Sequence, residues 1–378
     1  MRTFLVHCIL ISLVVTNFIG CATKQNDLRK TVLETKGPAW SLKNPPHKLV
    51  VAVSPAGKTL RIAGSSGLLV GAVIDASVNA KYQDKLEELL KDYDPATVAR
   101  EIVEKRLREI WGDGLREVSP LTSVAGYRNQ EDAQRARLTR LGKDGITLLT
   151  DLSLTYGIYG PEATLAAKVS AKVLRVPDGK IVWRKTIVAP FGPLLADARL
   201  KDPTDLVSPD VSSGLKVNED AVKYWLADNG TVLKESYESL IDGVVSAMLC
   251  DLQVSENAAG YYYLGKHALL RRDYKTAEEY FHKALQKGFH SSDATDGRSI
   301  ATAKSGNIKA AIELTKQTCS TDPQHGPSWY NLAWWYSTES HDLENARMCY
   351  EKALSLGMPT NKKIEKILSD NAAQKSRR

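Results

Sequence analysis

Residues 258–291 read AAGYYYLGKHALLRRDYKTAEEYFHKALQKGFHS, and residues 326–359 read GPSWYNLAWWYSTESHDLENARMCYEKALSLGMP. Laid over each other, the two stretches carry one pattern. Tyr261 matches Trp329, Leu264 matches Leu332, and Gly265 matches Ala333, two periods of 34 residues apart. Ala277, Phe281 and Ala284 match Ala346, Tyr350 and Ala353 one residue late, so the last copy holds a single inserted residue before Ala346. Residues 292–325 fill one further period. They keep Ala311 and Pro323 but place Arg298 and Ser299 where the other copies have Leu and a small residue. A fixed period of this length marks stacked supersecondary units. The apolar and small positions recur at helical steps within each copy, which predicts two helices per copy.

These residues resemble the tetratricopeptide repeat. That family's pattern places an aromatic at position 4, Leu at 7, a small residue at 8, Tyr at 11, Ala at 20, an aromatic at 24, Ala at 27 and Pro at 32. The copies supply Tyr261, Leu264, Gly265, Ala277, Phe281 and Ala284, then Ala311 and Pro323, then Trp329, Leu332, Ala333, Tyr336, Ala346, Tyr350 and Ala353. The first copy departs at position 11, where it has Ala268. The resemblance implies three repeats over 258–360, forming an all-α solenoid whose units bury their apolar faces only against one another. Residues 361–378 would add a capping helix, carrying Ile364, Ile367 and Leu368, and a basic tail.

The resemblance also implies a binding surface. First-helix positions 2, 5, 9 and 12 face a concave groove in this family. Here they include Tyr262, Lys266, Leu269, Asp296, Ile300, Tyr330 and Trp334. A part-aromatic, part-charged groove suits a protein or peptide partner. Of the adjacent tryptophans, Trp335 is expected in the core and Trp334 exposed, as an interface anchor. The family's carboxylate clamp needs Lys and Asn at positions 5 and 9 of the first repeat. Tyr262 and Lys266 stand there, so that partner class has no support.

Upstream, residues 48–252 predict an α/β or α+β domain. Leu49, Val50, Val51, Ala52 and Val53 form a short apolar run of strand length. Asp94-Pro95 opens a helix, with Asp94 as N-cap and Pro95 in the first turn, and Gly112-Asp113-Gly114 closes it. Residues 146–154 read as a strand. Residues 165–174 alternate between an apolar and a largely polar face, Asp178-Gly179 supplies a turn, and residues 181–188 return. Two helices follow, over 219–227 and 231–252. This layout after a cysteine is distantly similar to periplasmic lipoproteins of the curli-secretion type. That likeness implies an oligomeric secretion or assembly component as an alternative function. A carbohydrate- or peptidoglycan-associated module is a further alternative.

Arg2, an apolar run over residues 4–15, and Ile19-Gly20-Cys21 have the layout of an export signal. Cysteine directly after a small residue resembles the bacterial lipobox, although Phe18 stands where that motif has Leu. The resemblance implies cleavage after residue 20 and a lipid anchor on Cys21. Without Asp after the cysteine, it also implies the outer membrane, with the body facing the periplasm. Residues 21–47, polar and bearing Pro45-Pro46, are expected to be a tether.

Composition narrows the chemistry. A formal charge of +7 is spread along 378 residues without forming a basic stripe, so nucleic acid is not an expected partner. Cys250, Cys319 and Cys349 have no CxxC spacing and read as buried thiols, with a Cys319–Cys349 disulfide between adjacent repeats as the alternative. The seven histidines form no HExxH, and GxSxG is absent, so neither an enzyme nor a cofactor is expected. Residues 52–59 (AVSPAGKT) end like a phosphate loop but lack its first Gly, and residues 67–74 are too short to span a bilayer.

Overall fold

Trp40 is fully buried, which places the start of the folded body well before the strand expected at residue 49. In the computed structural model, which describes residues 28–43, 45–52, 79–160, 162–197, 219–289 and 291–375, Trp40 lies in β1 (Pro38–Lys43). A short helix, α1 (28–33), precedes it. The tether expected over 21–47 is therefore corrected: from residue 28 the described chain is folded. Pro45-Pro46 ends a strand here and does not mark a linker.

β1 pairs in parallel with β3 (Arg116–Glu117) on one side and with β4 (Leu148–Tyr159) on the other. β2 (Val50–Ala52) continues along the same edge of β4, pairing with residues 157–159. β4, β5 (Thr164–Arg175) and β6 (Ile181–Pro190) form an antiparallel meander, giving the order β3-β1-β4-β5-β6. The helices around this sheet are α2 (79–89), α3 (Pro95–Trp111), α4 (Gln130–Lys143), α5 (Glu219–Leu226) and α6 (Thr231–Asp251). Asp94 caps α3 as its sequence predicts, accepting the Ala96 N–H at 3.1 Å and the Thr97 hydroxyl at 2.6 Å.

The alternation of β4 and β5 divides the sheet into two unlike faces. Leu152, Leu154, Tyr156, Leu165, Val169 and Val173 turn to one side. There they pack with Val103 and Leu107 of α3 and with Tyr237, Ile241 and Val244 of α6. On the other side are two small clusters: one under α4, including Leu138, Leu141, Leu149 and Leu174, and one of Tyr159, Ala166 and Val188 on β4, β5 and β6. Sequence reading misses α4 because its apolar stripe is narrow: Ala133, Leu138 and Leu141 are buried beside one arginine, Arg137.

From residue 258 the chain is helical: α7 (Ala258–Leu270), α8 (Tyr274–Gln286), α9 (Ser292–Lys304), α10 (Ile308–Thr321), α11 (Gly326–Trp335), α12 (Leu343–Ser355) and α13 (Lys362–Lys375). Each packs on the next from α6 through α13, and α9 also touches α7 and α11. The 34-residue period is visible in the caps. Asn257 and Ser291 cap α7 and α9, while Asp273, Asn307 and Asp342 cap α8, α10 and α12. The inserted residue of the third copy is absorbed in a π turn at Tyr336–Ser340, closed by His341 at a φ of 55°. The molecule is thus an α+β half followed by a helical half. One apolar core runs through both: α6 packs on β5 and β6 with one face and on α7 with another.

Candidate functional site

The residues expected to line the groove do converge on one face of α7, α9 and α11. That face, however, is not open. Tyr262, Lys266, Leu269, Asp296, Ile300 and Tyr330 are all buried. The expectation of an exposed groove is corrected here: the end of β6 and the segment 190–197 (PFGPLLAD) lie on it. The segment has apolar residues without helical period and two prolines; the Phe191 N–H still reaches the Leu165 carbonyl of β5 at 2.8 Å, and beyond it the main chain turns to the helices. No feature of the repeats themselves announces it.

The helices hold this segment largely by its backbone. The Lys266 ammonium donates to the carbonyls of Pro190 at 3.0 Å and Gly192 at 2.5 Å, and lies 4.7 Å from the Tyr262 ring centroid. Asn331 makes a two-sided contact. Its Oδ1 accepts the Ala196 N–H at 2.7 Å and its Nδ2 donates to the Leu194 carbonyl at 3.4 Å. One step earlier, the Val188 N–H donates to Nδ1 of His267 at 3.1 Å. At the far end Asp197 accepts from the Tyr330 hydroxyl and from Asn361 Nδ2, each at 2.8 Å. Burial lowers the Lys266 pKa to about 8 and that of His267 to about 4.

Beneath Asn331 lies a polar cluster that spacing does not reveal, because its members come from two repeats. Asp296, 0% exposed, accepts from Ser328 Oγ at 2.9 Å and from Asn331 Nδ2 at 3.2 Å, while its Oδ1 has no partner among the described residues. Burial raises its pKa to about 7. His325 sits between two acids, with Nε2 3.0 Å from Asp293 and Nδ1 2.7 Å from Ser328. Burial opposes the His325 charge, but the Asp293 hydrogen bond and the Asp296 carboxylate outweigh it and raise the pKa. The serine, histidine and aspartate are arranged like a nucleophilic triad. Ser328 is nonetheless 0% exposed and its hydroxyl is already given to Asp296, so no substrate atom can reach it. The cluster ties α9 to α11.

Trp334 is half-buried, with the Lys363 ammonium 4.5 Å above its ring, whereas Trp335 is in the core. Of the residues expected to pack between helices, Leu264, Ala277, Phe281, Ala284, Ala311, Leu332, Ala333, Tyr336, Ala346, Tyr350 and Ala353 are buried. Tyr261 and Trp329 are half-buried and Pro323 is exposed. Gly265 lies against Phe281, whose ring would be 2.8 Å from any added Cβ. Cys250, Cys319 and Cys349 are free, buried thiols. Cys21, the 53–59 part of the phosphate-loop-like stretch and residues 67–74 lie outside the described residues. Among the described residues no helix is long and apolar enough to cross a membrane, and no group of three His, Cys, Asp or Glu could hold a metal. Comparison with known proteins finds no matching family model and no matching curated protein.

Proposed function

We propose that this chain is a lipid-anchored protein of the bacterial cell envelope that works by holding polypeptide, and that its helical half is a tetratricopeptide-type solenoid. The observation that carries the reading is the grip on residues 190–197. Lys266 and Asn331 meet main-chain carbonyls and an N–H, atoms that every peptide presents. The solenoid reading rests on the 34-residue period of both caps and packing residues, and on contact between successive first helices. Anchor and location rest on the signal layout ending in Ile19-Gly20-Cys21, which points to the outer membrane and a periplasmic body. The partner class is protein or peptide, with no cofactor and no nucleic acid. It meets the array at the rim around Trp334 or takes the place of the resident segment.

Two readouts test this. Labelling with a fatty-acid analogue should mark the wild type and spare Cys21→Ser; equal labelling would remove the anchor. A photo-crosslinking residue placed at Trp334 should join the chain to a defined envelope protein, and Asn331→Ala, which loosens the resident segment, should change the yield. Crosslinking indifferent to both positions would remove the peptide-holding role.

A further inference from the structure

The polar face of the sheet forms a second, open site. Between the small cluster under α4 and a second one of Tyr159, Ala166 and Val188, the face is lined by two ladders of side chains set by strand register. One runs Ser41, Asp151, Lys172, Arg184, and the other Lys43, Ser153, Ser170, Thr186. With strands about 4.8 Å apart, each ladder spans roughly 14 Å. Helix α4, residues 120–121 and the turn at 177–179 wall the face into a cleft of about 770 Å³, within the range of small-molecule sites.

The charge in this cleft is unbalanced in one direction. Each acid on its wall is engaged by a base. Asp151 is held by Arg137 at 3.0 and 3.1 Å, Asp178 pairs with Arg175, and Glu131 is 3.3 Å from Arg135. Arg137 is itself fixed by Ser41 and the Ser119 carbonyl. Lys172 lies at 3.8 Å from the already engaged Asp151. Lys43 and Arg184 have no carboxylate partner among the described residues. Cations thus stand at one end of the hydroxyl ladder and beside the other, with Ser153, Ser170 and Thr186 between. Gln134 adds an Nε2 donor that is buried on the cleft wall without a partner among the described residues. A buried donor left unmade calls for an acceptor that is not part of the chain. The cleft lining has no aromatic ring, so stacking on a sugar face is not its means of recognition.

We propose that this cleft binds a phosphorylated polyol: oxyanions at Lys43 and at the Lys172 and Arg184 pair, with hydroxyls along the serine and threonine row. The spacing fits a ligand the length of one or two sugar rings with an anion at each end. The test uses the full chain and calorimetric titration with fructose 1,6-bisphosphate, with fructose and inorganic phosphate as controls. A second arm uses vesicles of phosphatidylglycerol against phosphatidylcholine, so that a lipid headgroup is told apart from a soluble sugar phosphate. The bisphosphate or the anionic vesicles should bind saturably, and K43Q with R184Q should weaken that binding at least tenfold at an unchanged melting temperature. Gln134→Leu should weaken it by a smaller factor. Absence of saturable binding in both arms, or binding that the double variant leaves intact, overturns the site.

Discussion

Lys266 is the residue on which the closed face turns. It is 1% exposed, its charge faces two carbonyls and two aromatic rings, and no carboxylate of the described residues pairs with it. Its pKa of about 8 lies below the 10.5 of a free lysine. Between those values the unfolded chain binds more protons than the folded one, so this residue makes stability rise with pH across pH 8 to 10. In denaturant melts the rise should be present in the wild type and absent in Lys266→Met. Asp296 has the opposite sign. Its pKa is raised from 3.8 to about 7, so the folded state holds the proton more tightly and stability falls as pH rises from about 4 to 7. The raised pKa of His325 acts in the same direction, since its stabilising charge is lost as pH climbs. Asp296→Asn should flatten this slope, so its stability relative to the wild type should increase as pH rises from about 4 to 8. A variant whose relative stability falls over that range would show that the carboxylate is needed charged.

At the scale of elements, close approach of helices decides the outcome. A side chain at Gly265 would enter the Phe281 ring, and a Cβ at Gly243 of α6 would lie 2.0 Å from the Tyr263 ring of α7. Overpacking of this kind costs about 1–3 kcal/mol. Gly265→Leu and Gly243→Ala should both lower the melting temperature, whereas Trp334→Ala, on a half-buried ring, should lower it less. Much at this scale was legible beforehand: the α3 cap, the β5–β6 hairpin with Asp178-Gly179, and the repeat helices all follow from local pattern. β1 was not, because Pro45-Pro46 and its polar neighbours mask a six-residue strand. α4 was not either, because an arginine occupies its buried face. The two failures share a cause: each element is completed by distant residues, Trp40 by the sheet and Arg137 by Asp151 and Ser41.

Across the whole molecule, the main departure from sequence reading is that the two halves are not independent. Period and cap chemistry show which side chains face inward, but not what fills the space they face. That depends on residues 190–197, which lie more than sixty positions before the first repeat. A fragment of residues 253–378 loses both this segment and α6, whose face covers Tyr263 and Gly260. It should therefore be helical by circular dichroism but melt with low cooperativity, and a fragment beginning at residue 231 should melt higher. Equal melting of the two would show that α6 does not complete the array. The central claim, that the shared face of α7, α9 and α11 is occupied by the chain itself, is tested most directly by amide hydrogen exchange over 188–197. The Val188 and Ala196 N–H groups are given to His267 and Asn331 in buried contacts, so they should exchange as slowly as the amides of α9, with Asn331→Ala releasing Ala196. Exchange of this segment at the rate of an open loop would contradict the account.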